Sequence, residues 1–186
     1  MATSRSVKEE ISVKLSSSKA RPPGSPARQL AGFIAKFDPA IGKRVRAARA
    51  ALRKRLPTAI ELVYDNYNAL AIAFASTERA SDAIVSLAVY PRWVDLYFIY
   101  GANLPDPHIL LKGSGKQGRH ILLEDAAVLA RPAVAALLRA AIQHAKSPLP
   151  PTGRGYTVIK SVSAKQRPRR PAPGWPSSGQ PFSAAS

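Results

Sequence analysis

AIVSLAVYPRWVDLYFIY, residues 83–100, is the stretch whose reading decides the fold. Two runs of β-branched, aromatic and other apolar residues flank Pro91-Arg92, so the segment reads as two antiparallel strands joined by a short turn. Successive side chains of a strand point to opposite faces. Val94, Leu96, Phe98 and Tyr100 therefore share one face, which belongs to the core. Trp93, Asp95, Tyr97 and Ile99 share the other. An acid among aromatics marks that second face as partly open, and it has two readings. It is a platform for a ligand or partner, or it is covered by a helix or a tail.

Outward from the hairpin, ALAIAFA at 69–75 alternates bulky Leu70, Ile72 and Phe74 with alanines, the period of another strand. HILL at 120–123 is a fourth short strand. Before these strands lie two helices. Ser25-Pro26 and Asp38-Pro39 each place a capping side chain ahead of a first-turn proline. Leu30, Phe33, Ile34 and Phe37 follow the first signal, and Ile41, Val45, Ala48, Leu52 and Leu56 follow the second, all at helical spacing. The readings are a helix over 26–37 and a longer one from Pro39 to about Arg55, stopped by Pro57. Thr58 caps a short helical turn through Ile60, Leu62 and Val63 to Tyr64. Past the strands, Asp125 starts helical structure. Pro132 opens a final helix striped by Val134, Leu138, Ala141 and Ala145. Strands in a run with helices before and after make an α+β fold: an antiparallel sheet of about four to five strands with N-terminal and C-terminal helices packed on it. Residues 26–148 form the domain. Residues 1–25 read as a disordered basic leader and 149–186 as a mostly disordered Pro/Arg-rich tail, in which YTVIKSV at 156–162 is a candidate edge strand.

Composition narrows the function classes. The chain has no cysteine, which excludes disulfides and thiolate metal sites and fits a reducing compartment. Its first residues lack the apolar core of a secretory signal, and no apolar run reaches bilayer length, so a cytoplasmic protein without a membrane span is expected. The net charge of +17 divides into +3 over residues 1–26, +8 over 27–150 and +6 over 151–186. Such a chain adheres to polyanions, nucleic acid among them, at low salt. Solubility alone is the competing explanation.

Gly113-Ser114-Gly115-Lys116-Gln117-Gly118 has the literal spacing G-x-G-x-x-G. A dinucleotide site needs that loop between a strand and a helix, with an acid about twenty residues on for the ribose. Here the strand-like HILL follows, and position 138 is leucine. The loop reads as a strand connection. Its glycine amides with Lys112, Lys116 and Arg119 are nevertheless a candidate anion cradle. His108, His120 and His144 show no ligand spacing with each other or with an acid. No Ser-His-acid motif recommends catalysis. On the long helix, Lys43, Arg46, Arg49 and Arg53 stand opposite the apolar stripe, with Arg44, Lys54 and Arg55 beside them. This is a second candidate for phosphate contacts.

The segment VDLYFIYGANLPDPHILLKGSGKQGRHILL (94–123), after paired helices and YDNYNALAIAF (64–74), resembles the YdhG-like family over about residues 27–146. These are bacterial domains of unknown function with a frataxin-like α+β fold. The frataxin likeness implies iron handling, which calls for an acidic surface of carboxylate oxygens. Here the long helix carries Lys and Arg instead. Two functions follow from the sequence. One is a non-enzymatic binding or adaptor module gripping an anionic partner, non-specifically. The alternative is a small-ligand or metal-handling domain using the open sheet face. No cofactor is indicated.

Overall fold

The structure, a computed structural model, describes residues 24–171. Nearly all of the expected leader, and the tail beyond Pro171, lie outside the described residues. Two helices open the unit, α1 (Pro26–Ala35) and α2 (Pro39–Arg55). Ser25 accepts from the Arg28 amide and Asp38 from the Ala40 amide, so both caps expected from the sequence form. Six strands follow: β1 (Ile60–Asp65), β2 (Leu70–Ala75), β3 (Ala83–Val89), β4 (Val94–Phe98), β5 (Arg119–Leu122) and, last in the chain, β6 (Thr157–Val162). A 3₁₀ turn at Ala126–Ala130, capped by the Asp125 carboxylate, leads into α3 (Pro132–Gln143). Among the described residues no helix is long and apolar enough to cross a membrane.

The α+β class stands, but the sheet is larger than expected and mixed. Its order is β5-β4-β3-β2-β1-β6, antiparallel throughout except that β6 runs parallel to β1. Two expectations are thereby corrected. Residues 58–64 form no helical turn; 60–65 are a strand, interior to the sheet because β6 covers its outer side. The alternation of Ile60, Leu62 and Tyr64 with Glu61, Val63 and Asp65 was masked by its two acids, which point toward the helices and find cations there. The domain boundary at 148 also moves, because the candidate edge strand at 156–162 does form, over 157–162, and extends the sheet.

All helices pack on one face. Leu30, Ile34 and Phe37 of α1 and its C-terminal turn, Val45 and Leu52 of α2, and Leu138 of α3 join Ile72, Phe74, Leu87, Leu96 and Phe98 in one core. The other face carries a small second cluster of Ile60, Leu62, Ala73, Ala75 and Ala83. No helix covers it. Instead the loop after β2 reaches across, where the Tyr156 hydroxyl donates to Glu78 at 3.0 Å and Lys160 pairs with the same carboxylate at 3.9 Å. That contact lies on the β1 and β6 side; toward β4 and β5 the same face carries exposed Tyr97 among half-buried Trp93, Asp95 and His120.

Candidate anion-binding surface

Helix α2 turns its apolar stripe to the sheet, so its cations fan over the remaining arc. The structure divides them into two groups. Lys43, Arg46 and Lys54 are exposed, and among the described residues no ion pair engages them. At 3.6 residues per turn they fall within about 80° of arc, and the rise sets Lys43 and Lys54 about 16 Å apart. Arg49 and Arg53, by contrast, fold back onto β1. Arg49 donates Nε to Glu61 Oε1 and Nη2 to Oε2, both at 2.7 Å, a two-pronged pair. Arg53 reaches Oε2 at 2.9 Å and the Gly155 carbonyl at 3.1 Å, and the Thr157 hydroxyl donates to Oε2 at 2.6 Å. Glu61 has no solvent exposure. The two arginines expected to grip an anion are thus bound to one within the fold. A buried carboxylate needs such partners, because its desolvation is otherwise too costly.

Two residues of chain beyond Val63, Asp65 repeats the arrangement. It too is fully buried, paired with Nζ of Lys36, just past the end of α1, at 2.8 Å and with Arg169 Nη2 at 2.7 Å. Arg169 is 5 % exposed, and its guanidinium lies 5.4 Å from the Phe37 ring centre. Its neighbour Arg170 donates to the carbonyls of Ala35 and Phe37 at the end of α1, where helix carbonyls lack partners. Sequence reasoning missed Glu61, Asp65, Lys36 and Arg169. The available signal was the pair of acids in IELVYD, in a chain with 28 basic and 11 acidic residues. Carboxylates inside an apolar run point to buried cationic partners.

The glycine loop gathers less than the sequence suggested. Lys112, itself in no strand, forms an isolated antiparallel bridge with His120 of β5. Arg119 Nη1 donates to the carbonyls of Gly115 and Gly118, so this cation holds its own loop together. Gly118 packs so closely on the Tyr97 hydroxyl that no Cβ fits between them. Lys112 and Lys116 remain exposed. The loop connects a bridge to a strand and opens no helix, as expected from HILL.

On the helix-free face, Tyr97 is 36 % exposed and Trp93 and Asp95 are half-buried. Trp93 stacks on Tyr90 with ring centres 4.7 Å apart, and its indole Nε1 donates to Asp95 at 3.1 Å. Partial burial pushes the Asp95 carboxyl above its ordinary range, against the opposing pull of His120, the Trp93 hydrogen bond and Lys112. Among the described residues no group of three or more His, Cys, Asp or Glu is placed to hold a metal. Compared with family models, curated proteins and solved structures, the chain matches none.

Proposed function

We propose that this chain is a non-enzymatic binding module whose basic surface takes an anionic partner, with nucleic acid as the partner class. The observation that carries the reading is the outer row of Lys43, Arg46 and Lys54 on α2, exposed and without an ion pair among the described residues, on a chain of net charge +17. Cations held along a rigid helix neutralise phosphates without reading bases, so binding is salt-dependent and indifferent to sequence. The likeness to YdhG-like domains belongs to the same proposal, supported by the order of paired helices before the sheet. So does a cytoplasmic setting, supported by the cysteine-free chain. The test is binding of the full chain to a labelled duplex and a labelled single strand from about 50 to 300 mM salt. Charge reversal at Lys43, Arg46 and Lys54 is expected to weaken binding and to make the slope of log affinity against log salt shallower by about 2–3. Unchanged affinity and slope refute the reading.

One observation favours a second reading. The Tyr90–Trp93 stack beside Asp95 gives the helix-free face a flat aromatic platform for a small ligand. A thermal-shift screen decides it: ligand at a hundred times its Kd adds about 2.7 kcal/mol of stability.

A further inference from the structure

After β6 the chain turns back over the end of the sheet. The Ser163 amide donates to the Asp65 carbonyl and the Arg167 amide to the Tyr67 carbonyl, both at 2.9 Å. Gln166 Oε1 accepts from Lys36 Nζ at 2.9 Å. Arg169 holds the Asp65 carboxylate, and Arg170 donates to the carbonyls of Ala35 and Phe37, each at 3.3 Å. Residues 163–170, SAKQRPRR, thus form a strap across the β1–β2 turn and the end of α1. No residue of the strap belongs to the described apolar core, and Ala164 and Pro168 are exposed. Hydrogen bonds and charge fix it in place, together with the contact of Arg169 with the Phe37 ring.

That hold is incomplete at its centre. Arg169 is buried, yet of its three guanidinium nitrogens only Nη2 is bonded, to Asp65 and to the Asn66 carbonyl. Nε and Nη1 are buried with no hydrogen-bonding partner among the described residues. A cation out of water with unmet donors sets its desolvation against its ion pair, so the docked state gains little from it. Lys165, Arg167 and Arg170 make no ion pair among the described residues, and the strap contains no acid. A row of phosphates offers acceptors to all of these donors, which a single carboxylate does not. We propose that the strap is a releasable nucleic-acid-binding arm: Asp65 occupies Arg169 in the free protein, and nucleic acid draws the strap off so that Lys165, Arg167, Arg169 and Arg170 lie along its phosphates. Lys36 stays on Asp65 when the strap leaves, so the acid keeps a cation. The proposal rests on nucleic acid being the partner, and it adds to the fixed row on α2 a second surface that forms only on binding.

Hydrogen exchange of the unmodified full chain, with and without a saturating DNA duplex at about 50 mM salt, tests it. With the duplex bound, the Ser163 and Arg167 amides are expected to lose protection, because their acceptors on Asp65 and Tyr67 are left behind, while the amides of β1 to β5 keep theirs. A duplex that binds while these two amides stay as protected as in the free chain overturns the strap and leaves the reading of α2 standing. A duplex that does not bind overturns both. Asp65→Asn removes the charge that holds Arg169, which raises the fraction of open strap and is expected to tighten binding by that factor. Glu124→Gln makes the same charge change at an exposed acid and serves as the reference. Equal affinities of the two variants also overturn the proposal. The exchange experiment needs no variant, so an Asp65→Asn chain that fails to fold leaves the test intact.

Discussion

Glu61 and Asp65 are carboxylates without solvent exposure, the first held by two arginines of α2 and the second by Lys36 and Arg169 from opposite ends of the fold's chain. Removing one cation leaves a buried charge short of a hydrogen-bonding partner. Arg49→Ala is expected to lose about 1.5–3 kcal/mol in urea melts, a charged hydrogen-bond pair's worth, whereas Lys43→Ala on the exposed row should stay within about 0.5 kcal/mol. Equal effects would show that Arg49 is a surface residue. Asp95 responds to pH in the opposite sense to a salt-bridged acid. Its raised pKa means that the folded state binds this proton more tightly than the unfolded chain. The stability it contributes is complete below the unfolded value and is lost as pH rises through the raised one. Asp95→Asn, always neutral, should therefore gain on the parent as pH goes from about 3 to about 7. Melts of the pair at both ends check this, and a difference that shrinks with pH contradicts it.

At the scale of elements, β6 depends on one close approach. A Cβ at Gly155 would fall on the Ala59 carbonyl oxygen, where the Gly155 amide meets the Pro57 carbonyl at 2.8 Å just before β6 joins β1. Gly155→Ala must push the strand's start away from β1, because the obstacle is backbone and cannot rotate aside. It is expected to destabilise by about 1–3 kcal/mol. Hydrogen exchange should show Val63 and the β6 amides losing protection first. Uniform loss across the sheet would mean that β6 is not a separable element. The helices, by contrast, were legible from local chemistry. Ser25-Pro26 and Asp38-Pro39 announce their starts in adjacent residues, and the structure uses both caps. Strands β2 to β5 were legible too, since each neighbours the next in sequence and each alternates. Strand β1 was not, because Glu61 and Asp65 can sit in it only by virtue of partners outside the strand: Arg49 and Arg53 of the preceding helix, Lys36, and Thr157 and Arg169 far along the chain.

For the whole molecule, the chain after α3 closes the fold. The contacts of Thr157 with Glu61 and of Arg169 with Asp65 span 96 and 104 residues. Such long closures carry a large entropy cost, so they form late and depend on everything between. A chain ending after Pro171 keeps all of these contacts. One ending after Pro150 leaves the β1 edge open and removes a partner from each buried acid. It is expected to lose the single cooperative urea transition. A sharp, unshifted transition in the shorter chain would contradict this account.

The sequence by itself determined the class of the fold, the helix starts, the hairpin at 83–100 and the basic character, because caps, period-two alternation and charge are local properties. It could not determine which cations stay available to a partner. Seven candidates read alike in the sequence, yet the tertiary structure binds Arg49 and Arg53 to Glu61, turns Arg119 onto its own loop, and leaves Lys43, Arg46, Lys112 and Lys116 outward. For Arg49 and Arg53 that division rests on where β1 lies beneath α2, and it is set by tertiary packing, since a carboxylate brought into the core by the sheet draws these arginines back from solvent.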